Sequence, residues 1–389
     1  MRPIVLLLLL LLLLPDLYIH LIHLRHLHRR RLWLTLLWAP TLLLLATFTA
    51  LMLFSGQNTL AHHTHTVGLL AILLFLFGLP KMLFALCSLL GQLCHRLSRS
   101  VPRMPFLALG GALAILSFGG ILYGTLLGYK RLEVKQVSYR SPRLPAGFDG
   151  YRIVQLSDIH LGSWDHQPSV IQELVTRVNA LHPDLILFTG DLVNQRSTEL
   201  DPFVPILSQL HARDGVFSIL GNHDYGDYYH WPSPEAQRDD RQHLISQQAA
   251  MGWQMLNNDH RLLFSHGDSL SLAGVENDGE PPFPQHAQLQ QALCGSDSLF
   301  TILLSHNPTH WRREVLPQSR VDLTLSGHTH AMQVILFGRS LSPLRYPEWQ
   351  GFYREGTRAL YVNIGIGYVG LPFRFGAWPE ITLLTLEKE

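Results

Sequence analysis

The stretch DLTLSGHTHAMQ (residues 322–333) places two histidines, His328 and His330, one residue apart at the end of an apolar run. Residues i and i+2 of an extended segment point to the same side, so both imidazoles can face one ligand. Neutral imidazole is a common ligand for first-row transition metals. Taken alone, the stretch fits a polar turn that happens to hold two histidines equally well, so other parts of the chain have to decide.

Four further apolar runs end in the same kind of residue. Their last residues are Asp158-Ile159-His160, Gly190-Asp191, Gly221-Asn222-His223-Asp224 and Ser305-His306-Asn307. Ligands of α/β proteins bind at the carboxyl ends of strands, where loops from separate strands converge. Asp, Asn and His side chains without thiolates suit two adjacent divalent transition metals, rather than a structural zinc site or an all-oxygen calcium or magnesium site.

The elements that must hold these residues alternate in character after about residue 145. Strand-like runs occupy residues 151–158, 184–191 and 215–224, and helical periodicity occupies 169–182 and 202–212. This alternation predicts βαβ units, and consecutive strands without helices predict added antiparallel sheet. The later strand-like runs, which follow one another in this way, are 299–307, 321–330, 332–337, 359–367 and 380–386.

The N-terminal third is dominated by leucine and is predicted to lie in a membrane. Residues 32–54, 67–94 and 105–129 are each long enough to cross about 30 Å of hydrocarbon. The leucine run at the N-terminus resembles a signal peptide, but no small-residue cleavage site follows, so we interpret it as an uncleaved first helix that contains Asp16. The predicted organisation is a membrane domain with four spans, a linker and a soluble domain, over residues 1–130, 131–148 and 149–389.

Basic residues flank the predicted spans unevenly. Arginines lie between the first and second spans and between the third and fourth, whereas the loop at residues 55–66 has no Lys or Arg. The positive-inside rule then places both termini outside the cytoplasm, although Lys130 and Arg131 follow the last span directly. The chain is therefore predicted to be a multi-pass cell-membrane protein with an extracytoplasmic soluble domain.

The net charge, the cysteines and the histidines of the membrane domain say less about the function than the motifs at the ends of the apolar runs. A formal net charge of +1 gives no electrostatic reason to expect nucleic-acid binding. The three cysteines, Cys87, Cys94 and Cys294, do not form a disulfide framework. Two histidine clusters of the membrane domain are either metal ligands or, more commonly for such positions, polar residues at span ends; they comprise His20, His23, His26 and His28, and His62, His63 and His65.

The motifs in the order D-x-H, G-D, G-N-H-D, S-H and G-H-T-H, over about residues 150–386, resemble the calcineurin-like metallophosphoesterase superfamily. The C-terminal sequence YVNIGIGY…LPFRFGAWPEITLLTL resembles a branch of this superfamily that is often anchored to bacterial membranes. The resemblance implies a sandwich of two mixed β-sheets flanked by helices, with two metals at one end. It also implies the ligands: Asp158, His160 and His330 for the first metal, Asn222, His306 and His328 for the second, and Asp191 as the bridge.

The same resemblance implies a catalytic role for His223, which stays off the metals and stabilises or protonates the leaving oxygen. Asp224 then either orients that imidazole or is a structural turn residue. The metals, which are two divalent ions such as Mn, Fe, Zn, Co or Ni, hold a shared hydroxide and clamp phosphoryl oxygens. In one respect the chain departs from the branch, because the bulky Met332 stands where a small residue is usual.

Several residues and loops are candidates for contact with substrate. Arg374 suits a phosphate oxygen, with Asn363, Gly365 and Gly367 nearby in sequence, but the alternative is a loop that packs aromatic residues. Two further stretches, 224–234 and 341–356, are rich in aromatic residues and either cover the site or pack as ordinary loops.

The leading hypothesis is a membrane-anchored phosphohydrolase that cleaves a phosphomonoester, phosphodiester or pyrophosphate bond by metal-bound hydroxide. Its tether to the membrane makes a phospholipid or a nucleotide-linked lipid precursor a reasonable substrate class. The alternative is a transporter or sensor whose metal-binding domain is regulatory, supported only by the ionisable Asp16 and Lys81 within apolar spans. The intact ligand set and His223 argue against a non-catalytic scaffold, and the sequence has no basic groove for a nuclease.

Overall fold

The computed structural model describes residues 2–25, 30–54, 64–164 and 167–389. The chain divides into two compact units. The helical unit comprises Met1–Gly128 and Gly370–Phe375, and the sheet unit comprises Tyr129–Val369 and Gly376–Glu389.

Among its described residues, the helical unit has four long helices: α1 (Arg2–Ile19), α2 (Arg30–Phe54), α3 (Thr64–Leu97) and α4 (Met104–Leu126). A π-helical turn, His20–Leu24, continues α1. Within the described residues, three stretches are long and apolar enough to cross a membrane, namely Arg31–Leu51, Thr66–Leu97 and Met104–Lys130, and a shorter apolar helix covers Leu10–Leu24. Many leucines on these helices are exposed, as expected for side chains that face lipid.

The two ionisable residues of the apolar spans contact each other. Lys81 Nζ lies 2.6 Å from Asp16 Oδ1 and donates to Thr41 Oγ1 at 2.9 Å. Thr41 Oγ1 donates in turn to Asp16 Oδ2 at 2.5 Å, and Asp16 is fully buried. Because α1, α2 and α3 each supply one of these groups, the cluster links three helices through charge-assisted hydrogen bonds.

The described histidines of the first predicted cluster lie in the π-helical turn. His23 Nε2 is 2.8 Å from Ser88 Oγ, and Tyr18 Oη is 3.0 Å from the same oxygen. This is the hydrogen bonding expected of polar residues near a span end. His26, His28, His62 and His63 lie outside the described residues, as does the side chain of His65.

The segment Gly370–Phe375 packs within the helical unit. The Arg374 amide donates to the Gly124 carbonyl at 3.3 Å, and the rings of Tyr123 and Phe375 meet edge-on with centroids 6.3 Å apart. Arg374 is fully buried. The expectation that Arg374 contacts a phosphate is therefore replaced by its alternative, a loop that packs aromatic residues.

The sheet unit is built from two six-stranded sheets. The first has the order β1-β12-β2-β3-β4-β5 and the second has the order β10-β11-β9-β8-β7-β6. The strands are β1 (Glu133–Ser141), β2 (Arg152–Leu156), β3 (Leu185–Phe188), β4 (Val216–Ser218), β5 (Trp253–Met255), β6 (Asp259–Ser265), β7 (Asp268–Gly274), β8 (Thr301–Leu304), β9 (Leu323–Ser326), β10 (Gly351–Glu355), β11 (Arg358–Val362) and β12 (Glu380–Lys388).

Both sheets are mixed. Strands β2 to β5 are parallel neighbours, while β12 runs antiparallel to β2 and parallel to β1. Strands β7, β8, β9 and β11 are parallel neighbours, and β6 and β10 are antiparallel edge strands. The short runs of β2 and β3 are buried on both faces, as is usual for parallel strands covered on both sides.

A hydrophobic core fills the space between the sheets, with Ile153 and Leu187 from the first sheet and Leu272, Ile302 and Leu325 from the second. A second core covers the outer face of the first sheet, where helix α5 (Pro168–Ala180) buries one apolar stripe. Helix α6 is Pro234–Ala250, and short helical turns occupy Val204–Leu207, Leu289–Ala292 and Leu316–Gln318. The predicted sandwich of two mixed sheets flanked by helices is confirmed.

Three local features of the structure differ from what the sequence predicted or were not predicted. The predicted linker contains β1, which pairs with β12 over nine residues because the first sheet needs a partner at that edge. The expected strand at 332–337 does not form, since Met332 and Gln333 have φ of +46° and +61°, which an extended strand excludes. Helix α6 and the β6–β7 hairpin were not predicted, because α6 is polar around most of its surface.

Candidate metal centre

The candidate site is assembled from the carboxyl ends of five strands. In the first sheet, the neighbours β2, β3 and β4 run into the turns that carry Asp158 and His160, Asp191, and Asn222 and His223. In the second sheet, the neighbours β8 and β9 run into the turns of His306, His328 and His330. One sheet thus supplies all the oxygen ligands of the predicted set, and the other supplies most of its imidazoles.

The residues predicted for the first metal form one buried cluster. His330 Nε2 lies 3.2 Å from Asp158 Oδ1 and 3.1 Å from His160 Nε2. Asp158 and His160 are fully buried, and His330 is buried as well. Three donor atoms from two separate turns therefore lie within 4.8 Å of one another, close enough to share one ion.

The residues predicted for the second metal form an adjoining cluster. His306 Nε2 lies 3.2 Å from Asp191 Oδ2 and 3.2 Å from His328 Nδ1. Asp191 Oδ2 is also 3.7 Å from His160 Nε2, so one carboxylate oxygen faces both clusters. This is the position that the bridging role of Asp191 requires.

The side chains present fit two divalent metals. Asn222 is buried and its Oδ1 has no hydrogen-bond partner among the described residues, which is costly unless a ligand binds it. His306 Nδ1 is 2.8 Å from the Thr189 carbonyl, an arrangement that fixes the proton on Nδ1 and leaves Nε2 for a metal. Nitrogen and oxygen donors with no cysteine among them suit first-row transition metals.

The electrostatics of the cluster also favour cation binding. Burial, followed by the neighbouring His306, lowers the pKa of His328 to about 3, and burial holds the pKa of His160 well below its usual value. Both rings are therefore neutral and can act as ligands. Although burial alone would lower the pKa of His306, the Asp191 carboxylate raises it to about 9, so a bound metal takes the place of a proton there.

Strained backbone is concentrated at these turns. Asp158, His160, Asp191, His328 and His330 all have positive φ, between +48° and +74°. Left-handed conformations are uncommon for non-glycine residues and persist where the surrounding structure enforces them, most often at functional sites. Close packing enforces them here, since a Cβ on Gly327 would collide with Ser157 Oγ and with the Asp158 carboxylate.

His223 lies beside both clusters with its ring held by the backbone. Its Nδ1 is 2.7 Å from the Asn194 carbonyl, and its ring meets that of His160 edge-on at 4.7 Å. The Asp224 carboxylate accepts instead from the amides of Asp191, Leu192, Val193 and Gly221, at 2.8 to 3.1 Å. The predicted orientation of His223 by Asp224 is therefore corrected: Asn194 orients the ring, and Asp224 is the turn residue of the alternative interpretation.

Two tyrosines at the site were missed by sequence reasoning. Tyr228 stacks on His223 with ring centroids 4.3 Å apart, and its hydroxyl accepts from Asn222 Nδ2 at 2.9 Å. Tyr346 Oη is 2.9 Å from His328 Nε2. Both lie in the aromatic stretches named as candidate covers, 224–234 and 341–356, but neither stretch indicates which residue reaches the site. Burial raises the pKa of Tyr228 to about 12, so its hydroxyl stays protonated near neutrality.

The other residues that the sequence suggested near the site either support the turn that carries Asp158 or lie away from it. The Gly367 amide donates to the Asp158 carbonyl at 2.7 Å, and the Gly365 amide donates to Asn363 Oδ1 at 2.7 Å. Met332 is 42% exposed, so its bulk is accommodated outside the buried clusters. These residues shape the turn rather than supply ligands.

A further group of possible ligands has neighbours that satisfy it. Asp278 pairs with Arg313, and the buried His310 lies 2.9 Å from Ser305 Oγ and 3.2 Å from Glu314 Oε2. Because an arginine already neutralises the carboxylate, this group differs from the two clusters at the strand ends.

Comparison with known proteins identifies the family. Residues 151–332 match the calcineurin-like phosphoesterase family, and residues 1–129 match a transmembrane domain of calcineurin-like phosphoesterases. The metallophosphoesterase YkuE of Bacillus subtilis (strain 168) is 32% identical over 283 residues, covering 71% of this chain and 92% of YkuE. The chain belongs to the calcineurin-like metallophosphoesterase family.

Two other relatives of this metallophosphoesterase bear on its membrane part and its chemistry. A Danio rerio transmembrane protein with metallophosphoesterase domain is 31% identical over 341 residues, covering 83% of this chain and 72% of that protein. The UDP-2,3-diacylglucosamine pyrophosphatase LpxG of Chlamydia trachomatis serovar D is 28% identical over 302 residues, covering 65% of this chain and 88% of LpxG.

The family and the apolar helices together make this chain a membrane metallophosphoesterase. Calcineurin-like phosphoesterases use a dinuclear metal centre, and the adjoining clusters of this chain are groups of side chains able to hold such ions. The prediction of a metal-dependent phosphoesterase in a membrane is confirmed. The four-span count and the role of each ligand stay predictions.

Proposed function

We propose that this metallophosphoesterase hydrolyses a phosphoester or pyrophosphate bond of a phosphorylated lipid or lipid precursor, using two divalent metals. One observation carries the two-metal proposal: Asp191 Oδ2 lies within 3.2 Å of His306 Nε2 and 3.7 Å of His160 Nε2, and so faces both clusters. Metals bound by these residues would supply Lewis acidity to the phosphoryl group and would lower the pKa of a water molecule.

The protein's own residues have separate tasks in this proposal. Asp158, His160 and His330 would hold one ion, and Asn222, His306 and His328 would hold the other. His223 stays off the metals, and the Asn194 carbonyl holds its Nδ1 so that Nε2 is the atom that can carry a proton to the leaving oxygen. Asp224 contributes indirectly, because its four amide hydrogen bonds fix the turn that presents Asp191.

Two observations support a lipid substrate. The helical unit holds the chain in a membrane, where substrates with acyl chains are concentrated. The relative LpxG is named as a pyrophosphatase of a diacylated nucleotide sugar. We therefore infer that the substrate carries acyl chains, and that a nucleotide-linked pyrophosphate is the first bond to test.

The test uses the full-length protein in lipid nanodiscs, stripped of metal with a chelator and reloaded with Mn²⁺, Zn²⁺ or Fe²⁺. UDP-2,3-diacylglucosamine, phosphatidic acid and their water-soluble analogues without acyl chains are offered at matched concentrations. Metal-dependent cleavage that is faster with the acylated compound of a pair supports the proposal. Equal rates with and without acyl chains would contradict the lipid substrate, and turnover that survives complete metal removal would contradict the metal mechanism.

We also infer that the sheet unit lies outside the cytoplasm, which rests on the arginines between the spans. Cys294 is exposed in the sheet unit and offers a native reporter. A membrane-impermeant maleimide is expected to label intact cells at Cys294, with Cys294→Ser as the control. Labelling that appears only after the cells are broken would place the unit in the cytoplasm.

A further inference from the structure

The two tyrosines beside the second cluster contact its ligands through the atoms that face away from the proposed ion. Tyr346 Oη lies 2.9 Å from Nε2 of His328, whose other nitrogen, Nδ1, is 3.2 Å from His306 Nε2. If Nδ1 is the ligand atom, the ring proton sits on Nε2 and is donated to Tyr346. The hydroxyl of Tyr346 therefore holds the His328 ring by the nitrogen that faces away from the proposed ion, and it can accept the ring proton there.

Tyr228 acts on the amide ligand in the same way. Asn222 Nδ2 donates to Tyr228 Oη at 2.9 Å, and Asn222 Oδ1 is the buried atom with no partner among the described residues. An amide can rotate to exchange its oxygen and nitrogen, and only one orientation offers a ligand. In the structure the Tyr228 hydroxyl holds Asn222 Nδ2, and Asn222 Oδ1 is left free to bind a ligand.

Contacts on their own loops hold both tyrosines in place. The Tyr346 amide donates to the Ser342 carbonyl at 2.7 Å, and the adjacent Arg345 reaches Glu280 at 3.1 Å and the Pro281 carbonyl at 3.1 Å. Tyr228 is fixed by its stacking on His223. Two loops that are far apart in sequence thus each present one hydroxyl to one ligand of the same ion.

We propose that Tyr228 and Tyr346 are positioning residues for the second metal, and that they tighten its binding because their hydroxyls hold the side chains of Asn222 and His328 in place. This proposal rests on the two-metal function proposed above. It predicts an asymmetry between the two ions, because neither tyrosine contacts Asp158, His160 or His330 among the hydrogen bonds of the described residues.

The experiment is a Mn²⁺ titration of the metal-free, full-length protein in nanodiscs, followed by calorimetry and by the electron paramagnetic resonance of Mn²⁺. The variants are Tyr346→Phe and Tyr228→Phe, which keep the rings and remove only the hydroxyls. Tyr229→Phe is the matched control, since its ring packs against Trp231 and Arg196. Partners of metal ligands typically contribute about 10- to 100-fold in affinity.

The expected result is that wild type and Tyr229→Phe bind two ions per chain, whereas each of the other variants binds one ion normally and the second about 10- to 100-fold more weakly. The spin-coupled signal of paired Mn²⁺ should then appear only at high metal, and activity should return with it. Affinities for both ions within twofold of wild type would overturn the proposal. Fewer than two ions per chain in wild type would instead overturn the two-metal function itself.

Discussion

Two buried groups of charges in this chain are organised in opposite ways. In the helical unit, polar atoms of Asp16, Lys81 and Thr41 lie within 2.5 to 2.9 Å of one another, and a cation of the protein neutralises the carboxylate. In the sheet unit, Asp158, Asp191 and the histidines converge with their ligand atoms facing each other, and Asn222 Oδ1 has no partner among the described residues. In the first group a lysine of the protein balances the carboxylate, whereas in the second group the ligand atoms of several side chains converge.

The difference indicates which group carries out chemistry. A buried ion pair can fix the arrangement of helices without any further role. Donor atoms held at strained backbone positions, by contrast, are kept together at a cost that a bound metal offsets. The transporter or sensor hypothesis rested on Asp16 and Lys81 as ionisable residues within apolar spans, and their contact with each other gives both residues a structural role as well.

The largest expected effect tests the bridging carboxylate. We predict that Asp191→Asn lowers kcat by at least about 10³-fold, since the metals' several kcal/mol of stabilisation depends on the shared oxygen. The metal content should fall below two ions per chain, measured by mass spectrometry of the metals. The control is Asp239→Asn, which changes an exposed carboxylate on α6 and should match wild type. Full activity of Asp191→Asn would contradict the assignment of the chemistry to the group of the sheet unit.

The next effect separates proton transfer from metal binding. His223→Gln should lower kcat by about 10²- to 10⁴-fold while two metals remain bound. The loss should be smaller for a nitrophenyl ester than for an alkyl ester, because a weakly basic leaving group needs no proton. The exposed His211→Gln serves as the control. Equal losses for both esters would assign His223 a role other than protonation of the leaving group.

A stability effect is expected in the helical unit. Lys81→Met leaves Asp16 buried and uncompensated, so we predict a loss of about 3–5 kcal/mol in the free energy of unfolding. The double variant Asp16→Leu/Lys81→Met should recover most of that loss, and kcat of the folded fraction should stay unchanged in both. Unfolding by SDS titration measures the free energy of unfolding. A transport-linked pair would instead show lost function in the stable double variant.

The smallest effect concerns His310. Burial lowers the pKa of His310, with Glu314 opposing, so the unfolded chain takes up the proton first as the pH falls. Stability from the neutral ring is therefore present above pH 6.5 and is lost below it. Wild type should lose more in Tm than His310→Gln between pH 7 and pH 5, by about 2–4 °C for each kcal/mol. Parallel pH profiles would show that His310 does not titrate on unfolding.

The sequence by itself determined the fold class and the residues that meet at the site. Apolar runs of strand length that end in D-x-H, G-D, G-N-H-D, S-H and G-H-T-H are local patterns, and the carboxyl ends of neighbouring strands must converge. Leucine-rich runs of membrane length are equally local. These features depend on neighbours within a few positions, so they can be read along the chain.

Only the tertiary structure decided which side chains support the ligands. Asn194 rather than Asp224 orients His223, because the Asp224 carboxylate, in the turn after β4, accepts from backbone amides instead. Tyr228 and Tyr346 reach Asn222 and His328 from separate loops, and Asp16 meets Lys81 from another helix. Such contacts join residues far apart in sequence, and no local period or motif encodes the packing that brings them within hydrogen-bonding distance.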